Sequence, residues 1–208
     1  MTEQEWLKAL EYRHGTDLQQ RFSVSSVAIC GLGGLGSNVA ISLARAGVGT
    51  LHLIDFDSVD ITNLHRQQYG ISQLGINKTE AMKQILLEIA PYCKVITHTV
   101  RLTEKDLSLL ADCNIICECF DDAEYKAMLV NGISEKYPDK YIVAASGMSG
   151  LHTGNTIQTK KLGKRLYICG DGKSDITADR TLFAPRVMLC AAHQANTVLR
   201  IIAGKFEV

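Results

Sequence analysis

Residues 27–36 read Val-Ala-Ile-Cys-Gly-Leu-Gly-Gly-Leu-Gly, and this stretch decides the fold. The short apolar run over 26–30 has the composition of a buried strand, and the Ala-, Leu- and Val-rich residues 34–46 have that of a helix packed on a sheet. A strand that enters a helix through a glycine-rich turn is the start of a βαβ unit. The sequence therefore predicts a nucleotide-binding α/β fold at this point.

The turn itself carries the pattern Gly-x-Gly-x-x-Gly at Gly31, Gly33 and Gly36, with Gly34 beside them. Glycines let the backbone approach a phosphate closely, and the start of a helix offers free N–H donors and a positive partial charge. We therefore assign these glycines to the nucleotide phosphates. The alternative interpretation is a tight strand–helix turn that holds no ligand.

The second predicted strand, 50–54, runs into two acids. Asp55 ends the strand, at the position where Rossmann-type sites hold the acceptor for a ribose hydroxyl, although a helix cap or a surface acid is the alternative. Asp57 either contributes to the nucleotide site or stabilises the loop by local hydrogen bonds.

Strands and helices alternate outward from this turn. We predict further strands at 94–100, 114–118 and 141–145, helices at 3–13, 79–90 and 122–137, a hairpin with strands 155–159 and 165–169, and a last helix after Pro185. Such alternation requires right-handed crossovers, so we predict a Rossmann-like α/β fold. The sheet is mostly parallel with helices on both faces, and the C-terminal hairpin extends it with antiparallel strands. The 208 residues favour one domain over 1–208.

Polar side chains follow the second strand. Asn63, Arg66, Gln67 and Lys78 combine a guanidinium that can bind two phosphate oxygens with a point charge suited to the same task. Each residue taken singly is better explained as a solvated surface residue. Together, downstream of a ribose-type acid, they favour a phosphate site.

Asp121 follows the fourth predicted strand, in Cys119-Phe120-Asp121-Asp122. A carboxylate at a strand end beside phosphates is a good Mg²⁺ ligand. An Asp at 121 or 122 would also serve as the N-cap of the next helix, so one acid can cap while the other binds metal.

Composition and charge argue against several classes of protein. Hydrophobic residues make up 46% of the chain and charged residues 21%, as in ordinary globular proteins. The formal net charge is zero, so no overall field argues for nucleic acid or an anionic membrane. The first 22 residues lack a signal-peptide pattern and no apolar run approaches the ~18 residues of a membrane span, so we expect a cytoplasmic protein.

The seven cysteines are an odd number, which argues against a disulfide framework. None forms a Cys-x-x-Cys pair, the usual sign of structural zinc. Cys113, Cys117 and Cys119 share parity on the fourth strand, so we expect them to face the same way as buried, reduced thiols.

Five features in this order resemble the ThiF/MoeB family of ubiquitin-activating-like adenylyltransferases. They are Gly-Leu-Gly-Gly-Leu-Gly, Asp-Phe-Asp, Asn-Leu-x-Arg-Gln, the downstream Lys78, and Cys-x-Asp. The order and spacing match over nearly the whole chain, which is far more specific than the glycine motif alone. The short length, with Ala-Ala-Ser-Gly-Met at 144–148 and Ala-Pro-Arg-Val-Met at 184–188, is most similar to the compact ThiF proteins of bacterial thiamine synthesis.

This resemblance implies an ATP site. ATP would lie on the glycine turn with its ribose on Asp55, Arg66 and Lys78 would hold the phosphates with Asn63 and Gln67, and Asp121 would bind Mg²⁺. The family also uses an N-terminal arginine that reaches into the neighbouring protomer's site. Arg13 matches it best and Arg21 is the rival, which implies a C2 homodimer.

The resemblance also implies the reaction and the partners. The chain would adenylate the C-terminal glycine of a ubiquitin-like sulfur carrier protein of the ThiS type, releasing pyrophosphate, and a separate donor protein would supply sulfur for the thiazole of thiamine. A molybdopterin-type or other carrier would present a similar tail, so that alternative stays open. The carrier would lie across the hairpin and the polar loop Gly170–Arg180, with its tail entering toward Ser146-Gly147.

Two departures from the family pattern narrow this expectation. The larger relatives carry two Cys-x-x-Cys pairs for zinc, and because this chain has neither we expect no zinc. Some relatives place a cysteine in the loop before the final helix, where a covalent link to the carrier forms. Residues 174–183 contain none, so we expect adenylation without a covalent step.

Two other function classes remain open. The glycine turn and Asp55 fit a nicotinamide-dependent oxidoreductase equally well, although the chain offers no clear acid/base pair for hydride transfer and little room for a substrate domain. A non-catalytic nucleotide-binding module is the third hypothesis.

Overall fold

A computed structural model describes residues 1–179 and 181–208. Over these residues, seven strands form one sheet in the order β3-β2-β1-β4-β5-β7-β6: β1 Ser26–Cys30, β2 Thr50–Asp55, β3 Lys94–Thr99, β4 Ile115–Glu118, β5 Tyr141–Ala145, β6 Gln158–Leu162 and β7 Leu166–Gly170. Each neighbouring pair is parallel except β6 and β7. The mostly parallel α/β sheet with its antiparallel hairpin is therefore confirmed. β7 runs parallel to β5, so only the edge strand β6 reverses direction.

Seven helices accompany the sheet in the described residues: α1 Glu3–His14, α2 Thr16–Ser23, α3 Gly34–Arg45, α4 Lys78–Ile89, α5 Ala123–Lys136, α6 Ile176–Asp179 and α7 Ala184–Ile202. α2 is missing from the sequence-based prediction, because its eight residues hold only two apolar side chains and show no clear periodicity. No helix in the described ranges is both long and apolar enough to cross a membrane.

The hairpin forms three residues later than the sequence pattern indicates at its first strand. Residues 154–156 form a short 3-10 turn, which delays β6 to Gln158. The tight turn then falls at Gly163, whose φ of 66° is the left-handed conformation that glycine adopts readily.

Alternate residues of each strand supply two cores. Val27 and Ile29 of β1 face the larger core, which α3, α4 and α7 cover. Ala28 and Cys30 face the smaller core, which α5 and the 3-10 segment Glu104–Leu110 cover. This period of two in a strand buried on both faces is the pattern of a doubly wound sheet.

All seven cysteines are buried free thiols. Cys117 and Cys119 face the larger core, but Cys113 faces the smaller one. The expectation that the three face the same way is wrong for Cys113, because β4 starts only at Ile115 and the strand alternation does not extend back to residue 113.

The strand order places the site. After β1 the chain crosses to β2 and β3 on one side, and it then returns to β4 on the other side of β1. In doubly wound sheets the ligand crevice lies where the order reverses, at the carboxyl ends of the strands. The loops that start at Gly31, Phe56 and Cys119 all begin at this edge.

Candidate nucleotide site

The first turn of the site can be built only with glycine at two positions. Gly31 has a φ of 95° and donates its N–H to the Ile54 carbonyl at 2.8 Å, and a Cβ there would lie 2.8 Å from the Cys119 carbonyl oxygen. A Cβ at Gly36 would overlap the carbonyl oxygen of Gly31. These glycines therefore bring β1, β2 and β4 together beneath the start of α3.

The other two glycines differ in their surroundings. A Cβ at Gly34 would meet Val187 at 2.9 Å, so Gly34 is needed for the contact between α3 and α7. A Cβ at Gly33 would meet only the Gln67 side chain, at 3.7 Å. Gly33 precedes the first turn of α3, and that turn receives no side-chain cap. The open space at Gly33 and the uncapped amides fit an anionic group.

Asp55 lies at the carboxyl end of β2 and is buried. Its carboxylate accepts hydrogen bonds from the N–H of Leu32 at 2.6 Å and from that of Asp57 at 2.8 Å. Burial raises the pKa of Asp55, and nearby Lys78 together with these N–H groups opposes the shift. Each carboxylate oxygen can accept a further hydrogen bond, so Asp55 remains competent to bind a ribose hydroxyl.

Asp57 forms an ion pair with Lys78. The Lys78 Nζ atom lies 2.9 Å from Asp57 Oδ2, and the Lys78 N–H also donates to the Asp57 carbonyl at 2.9 Å. The Lys78 side chain is only 7% exposed, whereas Asp57 is 48% exposed. Asp57 therefore holds the buried ammonium of Lys78 near Asp55, at the start of α4.

Asn63 closes the turn that carries the next site residues. Its carbonyl accepts the N–H groups of Arg66 and Gln67, both at 3.1 Å. Gln67 is buried, and its Oε1 atom has no hydrogen-bond partner among the described residues. A buried oxygen without a partner costs free energy unless a ligand or water satisfies it. This orphaned oxygen fits a ligand or water that donates a hydrogen bond, such as a hydroxyl or amino group of a nucleotide.

Arg66 extends from the same turn. Its Nη1 atom donates to the Thr62 carbonyl at 3.2 Å and lies 3.3 Å from His65 Nε2, while its Nη2 and Nε atoms have no partner among the described residues and remain available for a ligand. Burial lowers the pKa of Arg66, and the nearby Asp121 carboxylate opposes the shift. The charges of Arg66 and Asp121 therefore interact, although the two residues belong to loops on opposite sides of β1.

The two acids after β4 have separate roles. Asp122 caps α5, because its Oδ1 atom accepts the N–H groups of Glu124 at 2.8 Å and of Tyr125 at 3.1 Å. Asp121 is exposed at the crevice. Capping therefore occupies Asp122 and leaves Asp121 for a ligand.

The donor set fits Mg²⁺ that arrives with a nucleotide. Within residues 1–179 and 181–208, no three His, Cys, Asp or Glu side chains cluster closely enough to hold a metal ion by themselves. Mg²⁺ in nucleotide sites typically takes one or two carboxylates and completes its shell with phosphate oxygens and water. Asp121 is the carboxylate that can fill this role. The expectation of no zinc stays a prediction.

Neither N-terminal arginine reaches this crevice within the chain. Arg13 lies at the end of α1. The next residue, His14, forms a hydrogen bond with Gln19 at 2.7 Å, and Gln19 donates to the carbonyl of Gly47, just beyond the end of α3. Arg21 lines a shallow cavity where β1, β4 and β5 begin. Both arginines therefore lie toward the amino ends of the strands, opposite the glycine turn.

The turn after β5 is tied to α7. The carbonyl of Gly147 accepts the N–H of Asp171 at 2.9 Å, and Asp171 forms an ion pair with Arg186. Buried Arg186 also donates to the carbonyls of His152 at 2.9 Å and Thr153 at 2.7 Å. Arg186 thus fixes the loops around Ser146-Gly147. Arg180, the end of the expected carrier-binding loop, lies outside the described residues.

Sequence reasoning missed an aromatic group beside Asp55. The Arg101 guanidinium stacks 3.9 Å from the centre of the Phe56 ring and donates to the Tyr125 hydroxyl at 3.1 Å. Phe56 is 44% exposed and lies between the two acids of Asp-Phe-Asp. An exposed aromatic residue between two site acids is the signal that could have revealed this group.

Proteins with similar sequences include known adenylyltransferases. The chain is 30% identical over 194 residues to the molybdopterin-synthase adenylyltransferase of Escherichia coli K12, a match that covers 90% of this chain and 77% of that protein. It is 36% identical over 132 residues to the adenylyltransferase and sulfurtransferase UBA4 of Candida glabrata, covering 62% of this chain and 30% of that one. The chain therefore spans about a third of the length of this longer relative.

The fold has close counterparts among solved structures. The crystal structure of E. coli tRNA N6-threonylcarbamoyladenosine dehydratase, TcdA, in complex with ATP aligns with a TM-score of 0.85 and 20% identity, over 96% of this chain and 94% of that one. At this identity the likeness shows the fold alone. The profile described as "ThiF family" matches residues 8–208. The chain belongs to the ThiF family.

Proposed function

We propose that this protein adenylates the C-terminal carboxylate of a ubiquitin-like sulfur carrier of the ThiS type, using ATP. The observation that carries the proposal is the arrangement around the uncapped start of α3. Asp55 lies at the end of β2 with the buried ammonium of Lys78 nearby, and Arg66 and Asp121 belong to the loops that follow β2 and β4. The grouping of two cations, two carboxylates and free backbone amides suits a polyphosphate with a ribose.

The reaction requires no covalent link to a side chain. A carboxylate oxygen of the carrier attacks the α-phosphorus of ATP, and the bond from that phosphorus to the bridging oxygen of the β-phosphate breaks. The products are an acyl-adenylate and pyrophosphate. Catalysis of this kind rests on orientation and on neutralising phosphate charge.

Each residue has a defined part in this scheme. The backbone amides after Gly33 and the donors of Arg66 and Lys78 bind phosphate oxygens, while Asp55 accepts a ribose hydroxyl. Gln67 and Asn63 support the turn that carries Arg66. Asp121 would hold Mg²⁺, which supplies positive charge to the phosphates when bound.

A nicotinamide-dependent oxidoreductase fits the site less well. A dinucleotide uses the glycine turn and Asp55, but it leaves no task for the buried ammonium of Lys78 or for the charges of Arg66 and Asp121. A titration of the protein with ATP and, separately, with NADH distinguishes the two. Preferential binding of NADH would favour the oxidoreductase.

Completion of the site by a second protomer belongs to the same proposal. Arg13 does not reach the crevice of its own chain. It is exposed at the end of α1, where it is available to a neighbouring molecule. We therefore propose that the protein works as a C2 homodimer in which Arg13 serves the partner's nucleotide.

Exchange of label between pyrophosphate and ATP tests the function. The protein is incubated with Mg-ATP, labelled pyrophosphate and a carrier with an intact C-terminal glycine, and a carrier that lacks this glycine is the control. We expect label in ATP only with the intact carrier. A wild-type protein that shows no carrier-dependent exchange would contradict the proposal.

The identity of the carrier is the finer part of the proposal. A thiamine-type and a molybdopterin-type carrier present similar glycine tails, so they differ in how their folded bodies contact the surface around β6, β7 and the loop after Gly170. Exchange rates measured with both carriers at equal concentration decide between them. We expect the higher kcat/KM with the ThiS-type carrier.

A further inference from the structure

A buried ion pair lies next to the proposed site without belonging to the residues assigned to ATP. Glu118 ends β4 and its side chain is 1% exposed, while Lys126 of α5 is 26% exposed. The Lys126 Nζ atom lies 3.0 Å from Oε1 and 2.8 Å from Oε2 of Glu118. It also donates to the carbonyl oxygen of Ala145, at the end of β5, at 3.0 Å.

These contacts occupy the ammonium group. A lysine has three N–H donors, and Lys126 has an acceptor for each of them. Lys78 differs, because among the described residues its Nζ atom has a single acceptor, Asp57. Lys126 is therefore committed to holding protein groups, whereas Lys78 retains donors for a phosphate.

The pair lies where β4 and β5 separate. Their regular pairing ends at Cys117 and Val143. Beyond that point side chains connect the strands: Gln194 Nε2 donates to the carbonyls of Glu118 at 2.9 Å and Val143 at 3.1 Å, and Lys126 joins Glu118 to Ala145. The opening between the two strand ends is thus set by side chains and not by the backbone ladder.

The same carboxylate also fixes the loop that carries Asp121. Glu118 Oε1 accepts the N–H of Phe120 at 2.7 Å, one residue before Asp121. On the other strand, Ala145 directly precedes Ser146-Gly147, the turn toward which the carrier tail is proposed to enter. One ion pair therefore connects the backbone on both sides of the reacting groups.

We infer that Glu118 and Lys126 are positioning residues for adenylation: together they fix Asp121 relative to the turn at Ser146-Gly147. This inference rests on the proposed function. Burial of an ion pair carries a desolvation cost, and apolar side chains of similar volume often stabilise a fold equally well. Apolar side chains, however, cannot bind the Phe120 N–H and the Ala145 carbonyl.

That contrast defines the test. Lys126→Met alone leaves Glu118 charged and unpaired in the core, and we expect it to destabilise the protein. The double variant Glu118→Leu/Lys126→Met removes both charges, and we expect its Tm to lie near that of the wild type. Lys126→Arg keeps a cation and is the conservative rescue. Glu118→Met keeps the length of the side chain but removes the acceptor for the Phe120 N–H, and it is a second test because the partly exposed Lys126 can turn toward water.

Two readouts separate positioning from stability. The first is ATP affinity by calorimetry in EDTA and in Mg²⁺, compared with Asp121→Asn. In EDTA, we expect the double variant to bind ATP with the same affinity as the wild type. In Mg²⁺, we expect the affinity of the wild type for ATP to increase, and that of the double variant and of Asp121→Asn to stay unchanged. The second is carrier-dependent exchange, where we expect kcat to fall about a hundredfold with little change in the KM for ATP. Compared with the double variant, Lys126→Arg should retain part of the Mg²⁺-dependent increase in ATP affinity and part of the exchange activity.

A double variant that matches the wild type in the Mg²⁺ gain and in exchange would overturn the inference. If the double variant does not fold, Glu118→Met decides: a reduced gain in ATP affinity from Mg²⁺ supports positioning, and wild-type values overturn it. Failure of the proposed function looks different, because the wild type itself would show no carrier-dependent exchange. The Mg²⁺ gain in ATP affinity would still test the ion pair in that case.

Discussion

Gly36 shows how a single missing side chain shapes the site. No Cβ fits between Gly36 and the carbonyl oxygen of Gly31, whereas a Cβ at Gly33 would touch only the Gln67 side chain. The two glycines of one motif therefore have different functions. Gly36 permits the backbone to pack, and Gly33 leaves space for a ligand.

Substitutions at these positions should separate folding from binding. Gly36→Ala is expected to destabilise the protein by about 3 kcal/mol, the upper part of the usual range for overpacking. Gly33→Ala should unfold like the wild type but bind ATP more weakly, because its methyl group occupies the space beside the first amides of α3. Thermal unfolding and ATP titration of both variants check this. Equal stability of the two variants would contradict the assignment.

The raised pKa of Asp55 predicts a pH dependence of binding. Burial favours the protonated form, so folded Asp55 takes up a proton at a higher pH than an exposed aspartate does. The protonated acid is a weaker acceptor for a ribose hydroxyl. We therefore expect the ratio of ATP affinities, wild type over Asp55→Asn, to fall as the pH is lowered, and this fall begins at a higher pH than the ordinary Asp pKa of about 3.9 would give. Protonation of ATP itself affects both proteins equally, so it cancels in this ratio. A ratio that stays constant with pH would contradict the role of Asp55.

At the scale of elements, helix starts and strand ends assemble the site. α3 begins at the glycine turn, α4 begins at Lys78, and α5 begins behind the cap Asp122. The sequence indicated these starts because caps, glycines and apolar spacing are local signals. It could not show that Lys78 pairs with Asp57 or that the Gln67 side chain lies beside Gly33, because those contacts depend on how distant elements pack.

The two acids before α5 provide a crossed prediction. Asp122→Ala removes the cap of α5 and should lower the free energy of unfolding by about 1 kcal/mol, with carrier-dependent exchange largely retained. Asp121→Ala should leave stability unchanged and abolish exchange, because Asp121 is exposed and makes no cap. Chemical denaturation and the exchange assay on both variants test the division. If Asp121→Ala lowered the stability and Asp122→Ala abolished exchange, the two roles would have to be assigned the other way round.

For the whole molecule, the sequence predicted the mostly parallel sheet, its antiparallel hairpin and the polar residues that follow its strands. Those features follow from the alternation of strands and helices and from short motifs, which leave their mark on neighbouring residues. No local sequence pattern indicated three other features: helix α2, the orientation of Cys113, and the ion pair of Glu118 with Lys126. Each depends on a strand boundary or on contacts between elements far apart in the chain.

Mixing two inactive variants tests the proposed homodimer. If Arg13 serves the partner's site, Arg13→Ala and Lys78→Met each lose activity alone, but a mixed dimer contains one site with both residues. We expect exchange activity to return when the two are mixed and allowed to exchange subunits. Mixing Lys78→Met with Asp121→Ala is the matched control and should stay inactive, because both residues belong to the same crevice. No recovery in the first mixture would contradict a role for Arg13 in the partner's site.

The central claim is that a carrier carboxylate attacks the α-phosphorus of ATP in this crevice. The most direct measurement uses a carrier whose C-terminal carboxylate is labelled with oxygen-18, followed by mass spectrometry of the AMP released when the acyl-adenylate hydrolyses. The attacking oxygen bridges the acyl carbon and phosphorus, and water attack at the acyl carbon leaves it on AMP. We predict AMP that carries one labelled oxygen. Unlabelled AMP, or ADP and phosphate in place of AMP and pyrophosphate, would contradict the account.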